Sequence, residues 1–255
     1  MKHYRFLSVI AAVAGLAVAT PALSAELNAA VAANFTAAAK EIAAAFEKKT
    51  GDKVVLSFGS TGQLATQIIN GAPYDVFLAA DSARPVKLET EGYTGTAQPR
   101  FTYAIGKLVL WSADPNVVDA NGDVLKSGDF GKLAVANPKT APYGAAGMQT
   151  IEKLGLTDSL QPKLVFGQNV AQTHQFIASG AATLGFIALA QVVNMEGGSQ
   201  WVVPESLYAP INQQAVLLKK GDENAAAKAF VDYLQGTEAA AIITRYGYGT
   251  EKPGS

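Results

Sequence analysis

The order of apolar and polar positions after residue 26 predicts a repeated strand, loop and helix. Short apolar runs are typical of buried strands, and each is followed by a polar loop. Phe35, Ile42 and Phe46 then recur at helical spacing, and Gly51 ends that predicted helix. The pattern predicts strands at 27–32, 54–58 and 75–80 and helices at 35–50 and 63–70. Such alternation is typical of a mostly parallel α/β sheet.

Two extended stretches, at 101–111 and about 210–218, interrupt this alternation. Between them the chain predicts strands at 133–136, 164–166 and 184–188 and helices at 145–154 and 171–179. Two further helices, 223–234 and 237–246, are predicted near the end. Two α/β halves joined by two crossings predict two lobes with a ligand cleft between them. Lobe 1 is assigned 26–104 and 211–255, and lobe 2 is assigned 105–210; a single doubly wound domain is the alternative.

The first residues have the pattern of a secretory signal peptide. Lys2 and Arg5 precede an apolar run at 6–19, and small residues lead up to Ala25. A membrane anchor is the alternative, but the run is shorter than the roughly 20 residues that span a bilayer. We predict a signal peptide over 1–25, cut after Ala25 or after Ser24. The mature protein is expected in the periplasm, soluble and without a lipid-modified cysteine.

Composition narrows the chemistry that the protein can perform. The chain has 255 residues, 49% hydrophobic and 16% charged, with a net charge of −1, no Cys and two His. The low charge argues against nucleic-acid binding. The absence of Cys excludes cysteine-ligated zinc, iron–sulfur clusters and thiol catalysis. A small ligand would therefore be held mainly by hydroxyls, amides and backbone groups.

The informative positions are the loops that join predicted strands to predicted helices. These loops are 33–36, 59–62, 137–144 and 167–171. In a parallel sheet they meet at the carboxyl ends of the strands, where α/β proteins bind ligands. Each loop also presents a helix N-terminus, which attracts anions. Taken singly, Asn34 and Thr61 are ordinary N-caps and Tyr143 a packed aromatic, so the recurrence of such loops is what indicates an anion site.

Five segments, in order, carry a family resemblance: VAANFT at 31–36, SFGSTG at 57–62, NGAPYDVF at 70–77, APYG at 141–144 and TLGFIA at 183–188. Together they resemble the periplasmic molybdate-binding proteins of ABC importers. The resemblance implies a two-lobed α/β periplasmic binding protein of type II, the Venus-flytrap fold, with a mixed, mostly parallel sheet in each lobe. It further implies a monomer that captures molybdate or tungstate for a membrane permease, with no cofactor and no enzymatic activity.

The resemblance also implies particular ligand contacts. Asn34 would give side-chain and backbone donors, and Thr61 a hydroxyl and its N–H, with Ser60 as the alternative hydroxyl. Tyr143 and Val170 would each give a backbone N–H.

One position departs from the family pattern. Some members place a Tyr hydroxyl in the pocket where this chain has Ala188, and the Tyr143 hydroxyl is the expected substitute, as in a family branch with the same APYG loop. Closure of the lobes is expected at hinges near Ile105 and Pro210.

A pocket of donors alone suits a fully ionised tetrahedral dianion, and none of the four loops carries Asp or Glu. Another oxyanion such as sulfate is the alternative ligand. A secreted hydrolase using Ser60 and His174 is a less favoured alternative, because the segment lacks the G-x-S-x-G elbow. A sensor domain of a regulator is a third, disfavoured by the export signal. Asp75 and Asp81 flank a predicted strand and are assigned no ligand role.

Overall fold

The computed structural model describes residues 24–250. All but the last two residues of the predicted signal peptide, and the final five residues of the chain, lie outside this range. Within it, no helix combines the length and the apolar character needed to cross a membrane.

The described chain alternates strands with helices. The strands are β1 (Glu26–Ala32), β2 (Lys53–Gly59), β3 (Val76–Leu78), β4 (Phe101–Gly106), β5 (Leu108–Ser112), β6 (Leu133–Ala136), β7 (Leu164–Gly167), β8 (Leu184–Ala188), β9 (Ser199–Val202) and β10 (Ile211–Leu217). The helices are α1 (Thr36–Thr50), α2 (Thr61–Ile69), α3 (Ala83–Thr90), α4 (Val124–Ser127), α5 (Pro142–Lys153), α6 (Thr157–Leu160), α7 (Val170–Ala178), α8 (Ala225–Leu234) and α9 (Thr237–Arg245). A short 3₁₀ turn, Ala33–Phe35, joins β1 to α1.

The strands form two five-stranded mixed sheets. Lobe 1 is built on the order β2-β1-β3-β10-β4, and lobe 2 on β7-β6-β8-β5-β9. In lobe 1, β1 pairs in parallel with β2 and β3, whereas β10 runs antiparallel to β3 and β4. Lobe 2 repeats this plan, since β6 is parallel to β7 and β8 while β5 is antiparallel to β8 and β9. The α/β fold class with a mixed, mostly parallel sheet in each lobe is confirmed.

Helices cover both sheets and close the cores. Helix α1 buries Ala38, Ile42 and Phe46 on one face and ends at Gly51, whose φ of 83° is the left-handed conformation that glycine adopts readily. The ring of Phe46 meets that of Phe230 on α8, with centroids 5.2 Å apart. This packing fixes the direction of α1, and therefore fixes where its first turn points.

The chain passes between the lobes twice. Strand β4 continues to Gly106 and β5 begins at Leu108, so the first crossing is at Lys107, slightly beyond the predicted boundary at 105. The second crossing lies between Val202 and Ile211. The first crossing joins β4 to β5, and the second joins β9 to β10. The first connection is a single residue, and the second contains the 3₁₀ turn Glu205–Leu207; both are short enough to serve as hinges.

Candidate functional site

The four loops singled out in the sequence meet at one small cavity between the lobes. Its volume is about 10 Å³, roughly the space of one water molecule. Lobe 1 contributes the ends of β1 and β2, together with Ala80 after β3, and lobe 2 contributes the starts of α5 and α7. The lining residues are Ala32, Ala33, Asn34, Gly59, Ser60, Thr61, Ala80, Ala141, Pro142, Tyr143, Asn169 and Val170. The cavity is therefore small, and groups from both lobes enclose it.

Helix N-termini from both lobes face this cavity. The N-cap residues of the 3₁₀ turn, of α2 and of α5 accept no side-chain capping bond, so their first N–H groups are not satisfied by caps. In α5 the first position is Pro142, which has no N–H, so the first donor of that helix is Tyr143. In α7 the Asn169 side chain caps Gln172, leaving the N–H of Val170 as the first donor. The cavity thus receives the positive ends of several helices.

Thr61 and Ser60 differ in what their hydroxyls can do. Both are buried, at 1% and 3% exposure. The Thr61 Oγ1 accepts the backbone N–H of Ala80 at 3.0 Å, which leaves its own hydrogen to donate elsewhere. The Ser60 hydroxyl instead donates to Gln63 Oε1 at 2.8 Å. Of the two candidate hydroxyls, Thr61 is the one whose hydrogen is not already committed.

Asn34 is buried at the start of the 3₁₀ turn, but its amide is engaged within lobe 1. Its Nδ2 donates to Gln213 Oε1 at 2.6 Å and to Tyr248 Oη at 3.1 Å. An amide nitrogen has two hydrogens, so both are used. The backbone N–H is therefore the donor of Asn34 that faces no such competition, whereas side-chain donation to a ligand would require the amide to leave one of these partners.

Tyr143 spans the interface between the lobes. Its side chain is buried, and its Oη has no hydrogen-bond partner among residues 24–250. The hydroxyl lies over Gly106, where a Cβ atom would come within 2.2 Å of the Oη, so only glycine fits at the end of β4. Burial raises the pKa of this hydroxyl well above its ordinary value, so it stays protonated and can donate.

Val170 and Ala188 are both buried in lobe 2. Gln191 connects them, because its Nε2 donates to the Val170 carbonyl at 3.2 Å and its Oε1 accepts the Ala188 N–H at 3.0 Å. Ala188 itself is not among the residues that line the cavity. This is consistent with the loss of a tyrosine contact at that position.

No Asp, Glu, Lys, Arg or His is among the residues that line the cavity. Asp75 instead accepts the N–H of Asn28 at 2.7 Å, and Asp81 pairs with Arg84. Within residues 24–250, no cluster of three or more His, Cys, Asp or Glu could hold a metal ion. The electrostatics of the site are set by dipoles and neutral donors, which favour an anion.

Two hydrogen bonds to backbone carbonyls hold the lobes together beside the cavity. The N–H of Gly62 donates to the carbonyl of Thr140 at 2.8 Å. Arg84 Nη2 donates to the carbonyl of Lys139 at 2.9 Å, while Nη1 of the same guanidinium binds Asp81. Both acceptors belong to the loop before α5, so closure of the lobes and placement of Tyr143 are linked.

His174 lies outside this site. Its ring packs against Trp111 with centroids 5.1 Å apart, and it does not line the cavity. Burial lowers its pKa from the ordinary value. Since the Ser60 hydroxyl donates to Gln63, no serine–histidine pair forms here.

Comparison with known proteins agrees with this geometry. The family described as bacterial extracellular solute-binding protein matches residues 27–249. The chain belongs to this family. It is 57% identical over 246 residues to the molybdate-binding protein ModA of Azotobacter vinelandii, covering 95% of this chain and 97% of that one. It is 54% identical over 244 residues to ModA of Rhodobacter capsulatus, covering 96% and 95%.

A solved structure of this family shares the fold. The periplasmic molybdate-binding protein of Azotobacter vinelandii superposes with a TM-score of 0.85 at 45% identity, covering 89% of this chain and all of that one. The predicted family is confirmed by these matches.

Three residues of the site region were missed by sequence reasoning. Ala80 supplies the N–H that orients Thr61, and Gln213 and Tyr248 hold Asn34. One signal was present for Gln213: it is a polar residue on the same buried face of β10 as Ile211 and Ala215. Nothing in the sequence pattern marks Ala80 or Tyr248.

Proposed function

We propose that this chain is the extracytoplasmic substrate-binding component of an ABC importer that captures molybdate, and also tungstate. The observation that carries this proposal is the convergence of helix N-termini from two lobes on one small cavity without charged side chains. The names of the close relatives, both molybdate-binding proteins, support it. The family consists of solute-binding proteins, and we infer that the chain is not an enzyme.

The proposed donors are distributed over both lobes. Lobe 1 gives the backbone N–H of Asn34 and the N–H and hydroxyl of Thr61. Lobe 2 gives the N–H of Val170 and both the N–H and the hydroxyl of Tyr143. Ser60 is a lesser donor, because its hydroxyl must first leave Gln63. Hydrogen bonds to an ionised acceptor are about twice as strong as neutral ones, so several of them can hold a desolvated dianion without a buried cation.

A site made only of donors discriminates between oxyanions by whether they carry a proton. Molybdate, tungstate and sulfate carry no proton at neutral pH and need only donors. Phosphate retains a proton and needs an acceptor, and no carboxylate is among the lining residues. Discrimination between molybdate and the smaller sulfate then rests on the size of the closed cavity.

The lobe division and the cellular setting complete the proposal. We assign 26–104 and 211–255 to lobe 1 and 105–210 to lobe 2, with Lys107 and the 203–210 connection as hinges. The protein is exported by a signal peptide cut after Ala25 or Ser24, acts as a soluble periplasmic monomer, and delivers its anion to an inner-membrane permease. It binds no nucleic acid.

Calorimetric titration with molybdate, tungstate, sulfate and phosphate tests the function. The expected result is tight binding of one molybdate or tungstate per chain, weaker sulfate binding and no phosphate binding. Binding of phosphate without molybdate would overturn the proposal.

A proline substitution makes the test specific for the cavity. Val170→Pro removes one N–H at the first position of α7, where proline is compatible with a helix, and should weaken molybdate binding about 10-fold or more. Ala225→Pro is the matched control, because it makes the same change at the first position of α8, away from the cavity. Equal affinity in the two variants would contradict the role of Val170.

A further inference from the structure

A buried polar cluster lies behind the cavity in lobe 1. Its members, which we call the Asn34 cluster, are Asn34, Tyr103, Gln213 and Tyr248, with exposures of 4%, 4%, 0% and 5%. They come from the 3₁₀ turn, from β4, from β10 and from the segment after α9. Polar groups buried this deeply lower the stability of the fold unless they are hydrogen-bonded, so the partners of each group matter.

The contacts of the cluster converge on one residue. Asn34 Nδ2 donates to Gln213 Oε1 at 2.6 Å and to Tyr248 Oη at 3.1 Å. The Tyr248 hydroxyl in turn donates to the backbone carbonyl of Asn34 at 2.9 Å. Both the side chain and the main chain of Asn34 are therefore held by two residues that lie far from it in sequence.

The two holding residues are themselves fixed. Tyr103 Oη lies 3.3 Å from Gln213 Oε1 and 3.2 Å from the carbonyl of Ala79. The ring of Tyr248 packs against Phe35 with centroids 5.3 Å apart, and the adjacent Gly249 exchanges two backbone hydrogen bonds with Ile105 on β4. These contacts hold the Tyr248 ring and the Gln213 Oε1, while the Gln213 Nε2 has no hydrogen-bond partner among residues 24–250.

We propose that Gln213 and Tyr248 are positioning residues of the oxyanion site, acting through Asn34. They hold the Asn34 amide and carbonyl in place, and they thereby hold the residue so that its backbone N–H is directed at the anion. A donor that is fixed in advance loses no orientational freedom when the ligand arrives, so the binding free energy is not spent on ordering it. This inference rests on the proposed function, since it concerns the same anion.

Tyr248→Phe in the full chain tests the proposal by removing one oxygen while the ring stays against Phe35. The expected result is a loss of molybdate affinity of about 10-fold. Tyr233→Phe is the control: its hydroxyl belongs to the same lobe but donates to Glu238 at 2.9 Å and does not contact Asn34. It should leave molybdate affinity unchanged.

Gln213→Met provides a second variant of similar shape that removes the acceptor of Asn34 Nδ2. It is paired with Gln214→Met, one residue along β10, where the side chain binds Arg100 at 3.1 Å instead. We expect weaker molybdate binding for Gln213→Met and unchanged binding for Gln214→Met.

A double-mutant cycle separates positioning from a general structural role. If Gln213 acts through Asn34, the effect of Gln213→Met on affinity should shrink at least about threefold in an Asn34→Ala background, because Gln213 contacts Asn34 only through the Asn34 side chain. Additive effects, or a Tyr248→Phe variant that binds like Tyr233→Phe, would overturn the inference while the proposed function stands. A native chain that binds no oxyanion would overturn the proposed function and the inference with it.

Discussion

The hydroxyl of Thr61 accepts the backbone N–H of Ala80 at 3.0 Å, and this contact decides where that hydroxyl can donate. Ala80 follows β3 and also lines the cavity. With its acceptor site used, the Thr61 oxygen has one hydrogen left for an anion. The segment that follows β3 therefore orients, through Ala80, the hydroxyl of Thr61 at the start of α2.

Removing the Thr61 hydroxyl should show whether Thr61 or Ser60 donates a hydroxyl hydrogen to the anion. Thr61→Val keeps the shape of the side chain and should weaken molybdate binding by about 10- to 100-fold, the cost of a hydrogen bond to a charged group. It should also lower stability by about 1–3 kcal/mol, because the Ala80 N–H loses its acceptor. Titration calorimetry and urea unfolding measure the two effects.

Ser60→Ala is the matched control for this prediction, and its affinity should stay within about threefold of the native value. The reverse order of effects would move the donor role to Ser60.

Removing the Tyr143 hydroxyl should lower molybdate affinity without lowering the stability of the ligand-free protein. The hydroxyl is buried without a partner among the described residues, so Tyr143→Phe should not destabilise the ligand-free protein. If the hydroxyl donates to the anion, the same variant should lose about 10-fold or more in molybdate affinity. Thermal unfolding without ligand and calorimetric titration check the two parts. Native affinity in Tyr143→Phe would limit this residue to its backbone N–H.

Close contact between the lobes at Gly62 should be needed for tight binding. A Cβ atom there would lie 3.0 Å from the Cα and 3.2 Å from the carbonyl oxygen of Thr140. Gly62→Ala should therefore hold the lobes slightly apart, lengthen the hydrogen bond to Thr140 and weaken molybdate binding. Small-angle scattering with saturating ligand should give a larger radius of gyration for the variant than for the native chain.

Gly236→Ala is the control for Gly62→Ala, since Gly236 has an ordinary φ of −81° and lies at the α8–α9 junction. It should bind and close like the native protein. Native closure and affinity in Gly62→Ala would show that the loop before α5 can move without cost.

His174 should give the folded protein a pH-dependent stability that is unrelated to binding. Burial lowers its pKa from 6.5, so below that pH the unfolded chain takes up a proton that the folded chain resists. The contribution to the free energy of unfolding therefore falls as pH drops from 6.5 through the lowered pKa. Urea unfolding at about pH 7.5 and about pH 5.5 measures the difference.

His174→Phe keeps an aromatic ring against Trp111 and should reduce this dependence on pH. Molybdate affinity should be unchanged, because His174 does not line the cavity. A loss of affinity in this variant would revive the hydrolase-like interpretation of the site.

Much of the fold was predictable because it depends on local patterns. The strands around 27–32 and 54–58 were recognised from apolar runs, and the helix of Ala38, Ile42 and Phe46 from its periodicity. The prediction lacks helices α3, α4 and α6 and strand β9. Helix α3 has a proline in its first turn and only two buried residues, α4 and α6 have four residues each, and β9 has only four residues, half of them exposed.

By itself, the sequence determined which loops would carry donors, because strand–loop–helix order and the absence of Asp and Glu in those loops are local properties. It also determined the family. What only the tertiary structure decided is which hydrogen of each polar group remains for an anion. The partners of Thr61, Ser60 and Asn34 are Ala80, Gln63 and the pair Gln213 and Tyr248. Most of these lie far along the chain, and a hydrogen bond depends on distance and angle in space, which residue spacing does not encode.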